Sequence, residues 1–262
     1  MRLIGRTLQM RLKELLFGRS NDALFLNENQ RTRLQTIANF APPDMTHPVD
    51  KIRWVVADVE TSGLDVTSDY LIAIGAVAVI DGRVDIADSF EVVLRQSDSS
   101  SDANILIHRI GGEAQRGGVD PQEALLRFLE FINGCPLVGY HASFDEVMLK
   151  QAYKHHLGYV AHHQWLDLAM LAPAMIPPQN DEASSPARQS HTRSGRSLDW
   201  WLNRYGIKIN KRHHAAADAM VTAKLWAVLL AAAPGLGMVD AQQFIALAKG
   251  YAWLRRSQRG LP

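Results

Sequence analysis

The sequence predicts an α/β fold, in which a mixed five-stranded sheet is flanked by helices and preceded by an N-terminal helical extension. Two strand-like apolar runs, 70–80 and 83–94, are separated by Asp81-Gly82. This dipeptide is the strongest short signal for a β-hairpin, so the early part of the sheet is antiparallel. From residue 121 onward short strands alternate with helices, a pattern typical of parallel pairing. The sheet is therefore predicted to be mixed.

The individual elements follow from local patterns. Apolar runs bounded by turn residues predict five strands: 53–60, 70–80, 83–94, 137–140 and 165–168. Apolar residues at helical spacing predict five helices: 122–132, 142 to about 155, 197–205, 215–232 and 241–247. Between the third strand and the first of these helices we expect a polar loop at 97–102 and a short apolar piece at 104–110.

The chain is expected to divide into three parts. A helical extension over 1–48 ends in the loop Ala41-Pro42-Pro43-Asp44, the main domain covers 49–235, and a helix with a basic tail covers 236–262. Residues 177–196 are rich in Pro, Ser, Gln and Arg, which predicts a mobile surface loop. The stretch 1–16 alternates basic and apolar residues at helical spacing. Such a helix can lie on a membrane or a partner, but more often it docks on its own domain.

Composition indicates a soluble globular protein. Of the 262 residues 47% are hydrophobic and 21% are charged, enough to bury a full core. The net charge of +1 does not by itself indicate a polyanionic partner, but the charge is unevenly distributed. The segment 188–212 has seven Lys or Arg residues against one acid, Asp199, and the tail from Lys249 has four basic residues and no acid. Such patches suit phosphate binding, although a basic run is more often a solvated face.

A single cysteine, Cys135, excludes an internal disulfide and fits a reducing compartment. Its place in a turn before an apolar strand indicates packing, not nucleophilic chemistry. No segment reaches the ~18 continuous apolar residues of a membrane span. The start of the chain lacks the apolar core of a secretory signal. We therefore predict a cytoplasmic protein without a transmembrane segment.

The first strand carries an electrostatic contradiction. It is apolar enough to be buried on both faces, yet it holds Asp58 and Glu60 near its end. Alternate residues of a strand share a face, so the two carboxylates stand side by side and raise each other's pKa. A divalent cation resolves this conflict, and Gly63 lets the chain turn closely over what the cation holds. The alternative is a strand end whose acids simply reach water.

Three further residues favour the cation. Asp145 lies in the first turn of a helix after a buried strand, and Asp218 is the one charge in an otherwise apolar helical segment. His213 precedes that helix. Four carboxylates without a soft ligand suit Mg²⁺ or Mn²⁺, and two such ions ~3.5–4 Å apart activate a water for phosphodiester hydrolysis. Because imidazole titrates near pH ~6.5, a histidine can take the proton from that water.

Three segments resemble the exonuclease motifs of the DEDD superfamily, and they occur in the family's order: Asp58-Val59-Glu60-Thr61-Ser62-Gly63-Leu64, Val138-Gly139-Tyr140-His141-Ala142-Ser143-Phe144-Asp145, and His213 to Asp218. The resemblance covers roughly Ile52 to Leu230. It implies a ribonuclease H-like fold and metal-dependent removal of nucleotides from a 3′ end. A histidine five residues before the last aspartate marks the DEDDh branch, which makes His213 the general base. His214, four residues before, occupies the position of the tyrosine of the other branch.

The resemblance also implies roles for individual residues. Metal binding falls to Asp58, Glu60, Asp145 and Asp218. Contacts to the terminal nucleotide fall to Thr61, Ser62, Gly63, Leu64 (as an apolar wedge), His108 and Phe144. The family commonly has His-Asn where this chain has Tyr140-His141, so the details of substrate contact differ there, and His141 is kept among the substrate-binding candidates.

The substrate and partners remain open at this stage. DNA is the favoured substrate, as in the proofreading subunit of bacterial DNA polymerase III, and RNA is the alternative, as in ribonuclease T. A third hypothesis is a non-catalytic nucleic-acid-binding or adaptor module. All five catalytic positions are filled, which argues against this hypothesis. A DNA polymerase or another protein is a candidate partner for residues 1–48. The histidine cluster 155, 156, 162 and 163 fits no zinc spacing and is interpreted as helix-end chemistry.

Overall fold

A computed structural model describes residues 26–97, 100–176, 196–208 and 213–259. Its five-stranded sheet has the order β3-β2-β1-β4-β5. The strands are β1 Trp54–Thr61, β2 Leu71–Ile80, β3 Arg83–Val93, β4 Leu137–Gly139 and β5 Trp165–Asp167. β1, β2 and β3 pair antiparallel, whereas β4 pairs parallel with both β1 and β5. The predicted mixed sheet is confirmed.

The hairpin between β2 and β3 has the predicted chemistry. Asp81 and Gly82 both adopt positive φ, 50° and 70°. A type I′ turn needs this conformation at both central residues, and Asp-Gly tolerates it well. The turn therefore sets the antiparallel pairing of β2 with β3 next to it.

Nine α-helices are found in the part of the chain that the structure describes. They are α1 Glu28–Ile37, α2 Asp102–His108, α3 Gly112–Arg116, α4 Pro121–Ile132, α5 Ser143–Ala152, α6 Leu168–Met175, α7 Leu198–Arg204, α8 Ala215–Ala232 and α9 Ala241–Arg259. One layer, formed by α1, α4 and α5, covers the sheet face of Val55 and Ala57. The other, formed by α6 to α9, covers the face of Trp54 and Val56. Strand alternation extends this second face to Asp58 and Glu60.

Four elements differ from the sequence prediction, and one of them, the five-residue α3, was not predicted at all. Most of the apolar piece 104–110 belongs to α2, which begins at Asp102 within the predicted polar loop 97–102 and which Ser101 caps by accepting the Asn104 N–H. α6 was not predicted, because its residues are nearly all apolar and include Pro173, so no helical period stands out. The predicted helix 241–247 continues to Arg259, where an exposed polar face dilutes the apolar pattern.

The expected helical extension is present in part. Asn27 and Gln30 form a capping box at the start of α1, and Leu34 and Ile37 are buried. Arg33 joins α1 to α4 through ion pairs of 2.6 Å with Glu123 and 2.7 Å with Glu130. The predicted amphipathic helix 1–16, and the predicted mobile loop 177–196 apart from its last residue, lie outside the described residues.

Among the described helices, one has the length and composition of a membrane span. It is α8 together with the following turn, Ala215–Leu236, and its most apolar window is 50% buried. This helix packs on β1, β2 and β3. Trp226 contacts Trp54 edge to face, with ring centroids 5.2 Å apart. A helix that is apolar nearly all round is expected in such a central position, so the core accounts for its composition.

Candidate active site

Three carboxylates converge at the carboxyl end of β1. Asp58 and Glu60 are half-buried on one face of the strand, and Asp218 is buried in the first turn of α8. One oxygen from each lies within 4.8 Å of the others. Crowded carboxylates away from bulk water repel each other unless a cation or proton separates them. The group is therefore chemically suited to a hard divalent cation.

A glycine on β2 brings Asp218 to this place. Gly75 pairs with Asp58 across the strands. A Cβ atom at Gly75 would lie 2.1 Å from the Ala216 nitrogen and 2.2 Å from the Ala215 carbonyl carbon. The first turn of α8 thus rests directly on the backbone of β2. Because the turn comes this close, the Asp218 carboxylate reaches the acids of β1.

Replacing Gly75 with alanine is expected to separate these carboxylates. The methyl group must push backbone away, so we expect the free energy of unfolding to fall by about 1–3 kcal/mol. Mn²⁺ affinity is expected to fall about 10- to 100-fold, as for other changes that misplace ligands. Calorimetric Mn²⁺ titration and thermal melting measure both effects. Gly250→Ala is the matched control, since nothing lies within 4 Å of its new Cβ; unchanged Mn²⁺ binding in Gly75→Ala would contradict the role of this contact.

Asp145 approaches the same strand end from the other layer. It lies in the first turn of α5, is only 5% exposed, and its Oδ1 accepts the Val59 N–H at 3.2 Å. Burial raises the pKa of Asp145 to about 8, and the nearby charges of Asp167 and Glu60 add to this. Burial thus favours the neutral form of this carboxyl. Binding of a cation selects the ionised form.

The turn before α5 is held by Asp167. His141 adopts a left-handed conformation, with φ 63°, and its N–H donates to Asp167 Oδ1 at 3.0 Å. The same oxygen caps α6 by accepting the Ala169 N–H at 2.9 Å. Burial raises the pKa of Asp167. One carboxylate thus fixes both the exposed His141 and the direction in which α5 starts.

The two neighbouring histidines before α8 have different surroundings. The His213 N–H donates to Asp218 Oδ2 at 3.0 Å, with His213 in a left-handed conformation of φ 59°. His214 Nε2 lies 3.2 Å from Glu91 Oε1 on β3. His213 is therefore tied to a carboxylate of the cluster, whereas the His214 ring is engaged at the surface of the sheet.

The turn after β1 is rigid and presents an apolar tip. The Thr61 hydroxyl donates to the Gly63 carbonyl at 2.6 Å, and the Ser62 hydroxyl donates to Asp69 Oδ1 at 2.7 Å. Asn104 on α2 donates to the Thr61 carbonyl at 3.2 Å and also to the Ser62 carbonyl. Leu64 is 86% exposed. The geometry leaves Leu64 accessible to a flat ligand beside the acids.

The other predicted substrate contacts divide into two groups. His141 is exposed and Phe144 is half-buried next to Asp145, so both remain accessible candidates. His108, in contrast, is 1% exposed. Its Nε2 lies 3.2 Å from the Ser100 hydroxyl and its Nδ1 accepts the Ile110 N–H at 3.0 Å. Direct contact between His108 and a nucleotide does not fit this burial, and the ring instead holds the end of α2.

Comparison with known proteins decides the family. The RNase_T model, described as an exonuclease family, matches residues 55–226. The chain belongs to this exonuclease family. The match includes β1, α5 and the start of α8, and therefore every predicted metal ligand. The RNase_T assignment confirms the predicted exonuclease domain of the DEDD type.

Individual relatives agree with this family. The chain is 28% identical over 191 residues to the PolC-type DNA polymerase III of Lacticaseibacillus paracasei, covering 72% of this chain and 12% of that protein. It is also 28% identical over 194 residues to a DNA polymerase III subunit epsilon-like protein of Rhodobacter capsulatus, covering 73% and 25%. The aligned region thus spans a small fraction of these curated relatives.

Solved structures support the fold. Exonuclease I of E. coli, in complex with a dT13 oligonucleotide, superposes with a TM-score of 0.57 at 19% identity, over 71% of this chain and 42% of that one. The complex with a dA16 oligonucleotide gives a TM-score of 0.55 at 17% identity. The ribonuclease H-like fold predicted for the RNase_T domain is confirmed.

Sequence reasoning missed several residues that shape the RNase_T site. Gly75 lies in an apolar strand and Asp167 at the end of a short strand, and neither position shows its contacts in the sequence. Asp69 and Asn104 hold the turn after β1 from positions outside any motif. A polar residue beside a turn is a very common pattern, so no local signal could have singled out these two.

Proposed function

We propose that the protein is a metal-dependent 3′-to-5′ exonuclease that acts on single-stranded nucleic acid, with DNA as its preferred substrate. The observation that carries the proposal is the convergence of Asp58, Glu60 and Asp218 within 4.8 Å, inside an RNase_T exonuclease domain. Such carboxylate clusters suit phosphodiester hydrolysis because the acids can hold cations that bind the phosphate.

Two divalent cations, Mg²⁺ or Mn²⁺, are proposed as cofactors. Asp58, Glu60 and Asp218 are proposed to hold them, together with Asp145, whose buried carboxyl lies against the backbone of the same strand. When bound, such a pair of ions polarises the phosphate and offsets the charge that develops on the attacking and leaving oxygens. Carboxylates as the whole donor set favour these ions over softer metals.

His213 is proposed to take the proton from the attacking water. Its backbone is tied to the Asp218 carboxylate, which keeps the residue beside the proposed metal site. His214 is a poor candidate for this role, because its ring lies 3.2 Å from Glu91. A positioned general base accelerates such a step by about 10²- to 10⁴-fold.

The turn after β1 is proposed to hold the terminal nucleotide. Backbone groups of Thr61 to Gly63 are fixed by hydrogen bonds from α2 and within the turn. The exposed Leu64 side chain offers an apolar surface for the last base. Phe144 is proposed to close the pocket on the opposite side, and His141 to contact the strand at its mouth.

DNA is favoured because the relatives include proteins named as DNA polymerase III components, and the superposed exonuclease I structures hold oligodeoxynucleotides. RNA is the second candidate, since proteins distinguish the two by contacts to the 2′-hydroxyl. The same relatives support a polymerase partner, for which residues 1–48 are the proposed contact segment. A cytoplasmic location stays a prediction.

Digestion of matched 5′-labelled DNA and RNA single strands tests the proposal. We expect a ladder that shortens from the 3′ end with Mg²⁺ or Mn²⁺, disappears with chelator, and forms faster on DNA. A faster ladder on RNA would replace the DNA preference by the second candidate. Binding without cleavage of either strand would favour the non-catalytic adaptor hypothesis.

A further inference from the structure

A basic and aromatic surface lies beside the candidate active site, and the proposed chemistry does not use it. The surface consists of Arg196, Trp200 and Arg204 on and before α7, with Arg255 on α9; we call it the basic–aromatic surface. We propose that it binds the part of the substrate strand upstream of the terminal nucleotide. This proposal rests on the proposed function, because it assigns a path to the same single-stranded substrate.

The α7 part of this surface is a stack of guanidinium groups on an indole. Arg196 Cζ lies 4.0 Å from the Trp200 ring centroid, and Arg204 Cζ lies 5.5 Å from it. Leu198, Trp201 and Leu202 on the other side of α7 are buried in the core. The helix is thus anchored by its apolar side, with Arg204 exposed and Arg196 and Trp200 half-buried at the edge of the core.

A short chain of contacts links this surface to the metal ligands. The Tyr140 hydroxyl donates to the Arg196 carbonyl. The Tyr140 ring contacts the His141 ring, with centroids 5.0 Å apart, and the His141 N–H donates to Asp167. The charge of Asp167 in turn helps to raise the pKa of the buried Asp145. The basic–aromatic surface is therefore joined, through Tyr140, to the turn that precedes Asp145.

Arg255 comes to the same place from a different helix. α9 packs on α6 and β5, next to β4, which ends at Gly139, one residue before Tyr140. Burial raises the pKa of the Tyr140 hydroxyl, and the Asp167 charge adds to this, while the charges of Arg196 and Arg255 act in the opposite direction. Both guanidinium groups therefore lie near one hydroxyl. One residue of each basic run, Arg196 and Arg255, thus acts on the same hydroxyl.

The chemistry of this surface matches a single strand better than a duplex or a small ligand. Guanidinium groups bind phosphates bidentately, and both guanidinium planes and aromatic rings stack on unpaired bases. Such binding tolerates any base, as suits an enzyme that must retain a strand while its end changes with every cycle. A strand held only by its last nucleotide would be released after each cleavage.

Binding and cleavage by two variants test the proposal. In an Asp58→Ala background, anisotropy of a labelled oligothymidylate of roughly 20 nucleotides measures affinity against salt concentration. The double variant Arg196→Gln/Arg255→Gln is expected to lower the slope of log K against log[salt] by about 1.4, at about 0.7 for each lost phosphate contact. Trp200→Ala is expected to weaken binding about 5- to 100-fold through lost stacking.

The cleavage arm separates this proposal from the proposed function. With Asp58 intact, we expect both variants to lose at least about tenfold in kcat/KM on the long strand and to keep the wild-type rate on a dinucleotide. Lys51→Gln/Arg127→Gln is the matched control, because both side chains are exposed, at 60% and 54%, and lie away from α7. An unchanged salt slope, or equal losses on both substrates, would overturn the proposal. If the wild-type protein cleaves neither substrate, the proposed function fails. The salt dependence of binding then still tests the role of the basic–aromatic surface.

Discussion

Asp58→Ala is expected to lower the turnover rate on single-stranded DNA by at least about 10³-fold. Asp58 is the ligand candidate on the central strand, and its carboxylate lies within 4.8 Å of those of Glu60 and Asp218. Losing it removes several kcal/mol of charge stabilisation in the transition state, and each ~1.4 kcal/mol is a tenfold change in rate. The measurement is single-turnover cleavage of a 5′-labelled strand at saturating Mn²⁺.

The fold is expected to survive this substitution, because removing one of several crowded carboxylates relieves repulsion. Circular dichroism and thermal melting in chelator check this point. Asp50→Ala serves as the control, since Asp50 is a half-exposed acid that forms a 3.9 Å pair with Lys51. Metal-dependent cleavage at the wild-type rate by Asp58→Ala would refute the assignment of the site.

His213→Ala is expected to lower kcat by about 10²- to 10⁴-fold, the usual contribution of a general base. His214→Ala is expected to cost less than about tenfold, because the His214 ring pairs with Glu91 at a partly exposed position. The two substitutions remove the same ring from adjacent positions, so each controls for the other. Steady-state kinetics on one oligonucleotide compares them.

The order of these two effects identifies the base. Similar KM values for both variants, with kcat lowered only in His213→Ala, would show that substrate still binds and that the proton step is impaired. The reverse order would mean that the third motif is shifted by one residue. Such a shift would place the His214 ring at the cluster, and the Glu91 contact would then have to open.

The acids could be predicted from sequence because each breaks a local pattern. Asp58 and Glu60 interrupt a buried strand, and Asp218 interrupts an apolar helix. A charge that contradicts its surroundings is visible without knowledge of the fold. Asp145 has no such contrast in an amphipathic helix; its place in the first turn after a buried strand, together with the family resemblance, pointed to it.

Features that depend on distant contacts could not be predicted. Gly75 looks like any small residue in a strand until α8 is placed upon it. The burial of His108 depends on its contact with Ser100, which Gln115 holds in turn, so the sequence could not show how little of this predicted nucleotide contact is exposed. α6 was missed because nearly all of its residues are apolar, and the second half of α9 was missed because none of residues 249–257 is buried, so no buried stripe marks a helical period there.

The backbone contact between Gly75 and α8 ties the site to the most cooperative part of the protein. Local opening normally begins in loops and termini with few buried contacts. Two of the clustered acids instead stand on the central strand, and the third on a helix whose Trp226 lies against Trp54 in the middle of the core. We therefore expect the cluster to lose its geometry only when this core unfolds. Heat is then expected to abolish metal binding and the native fold together.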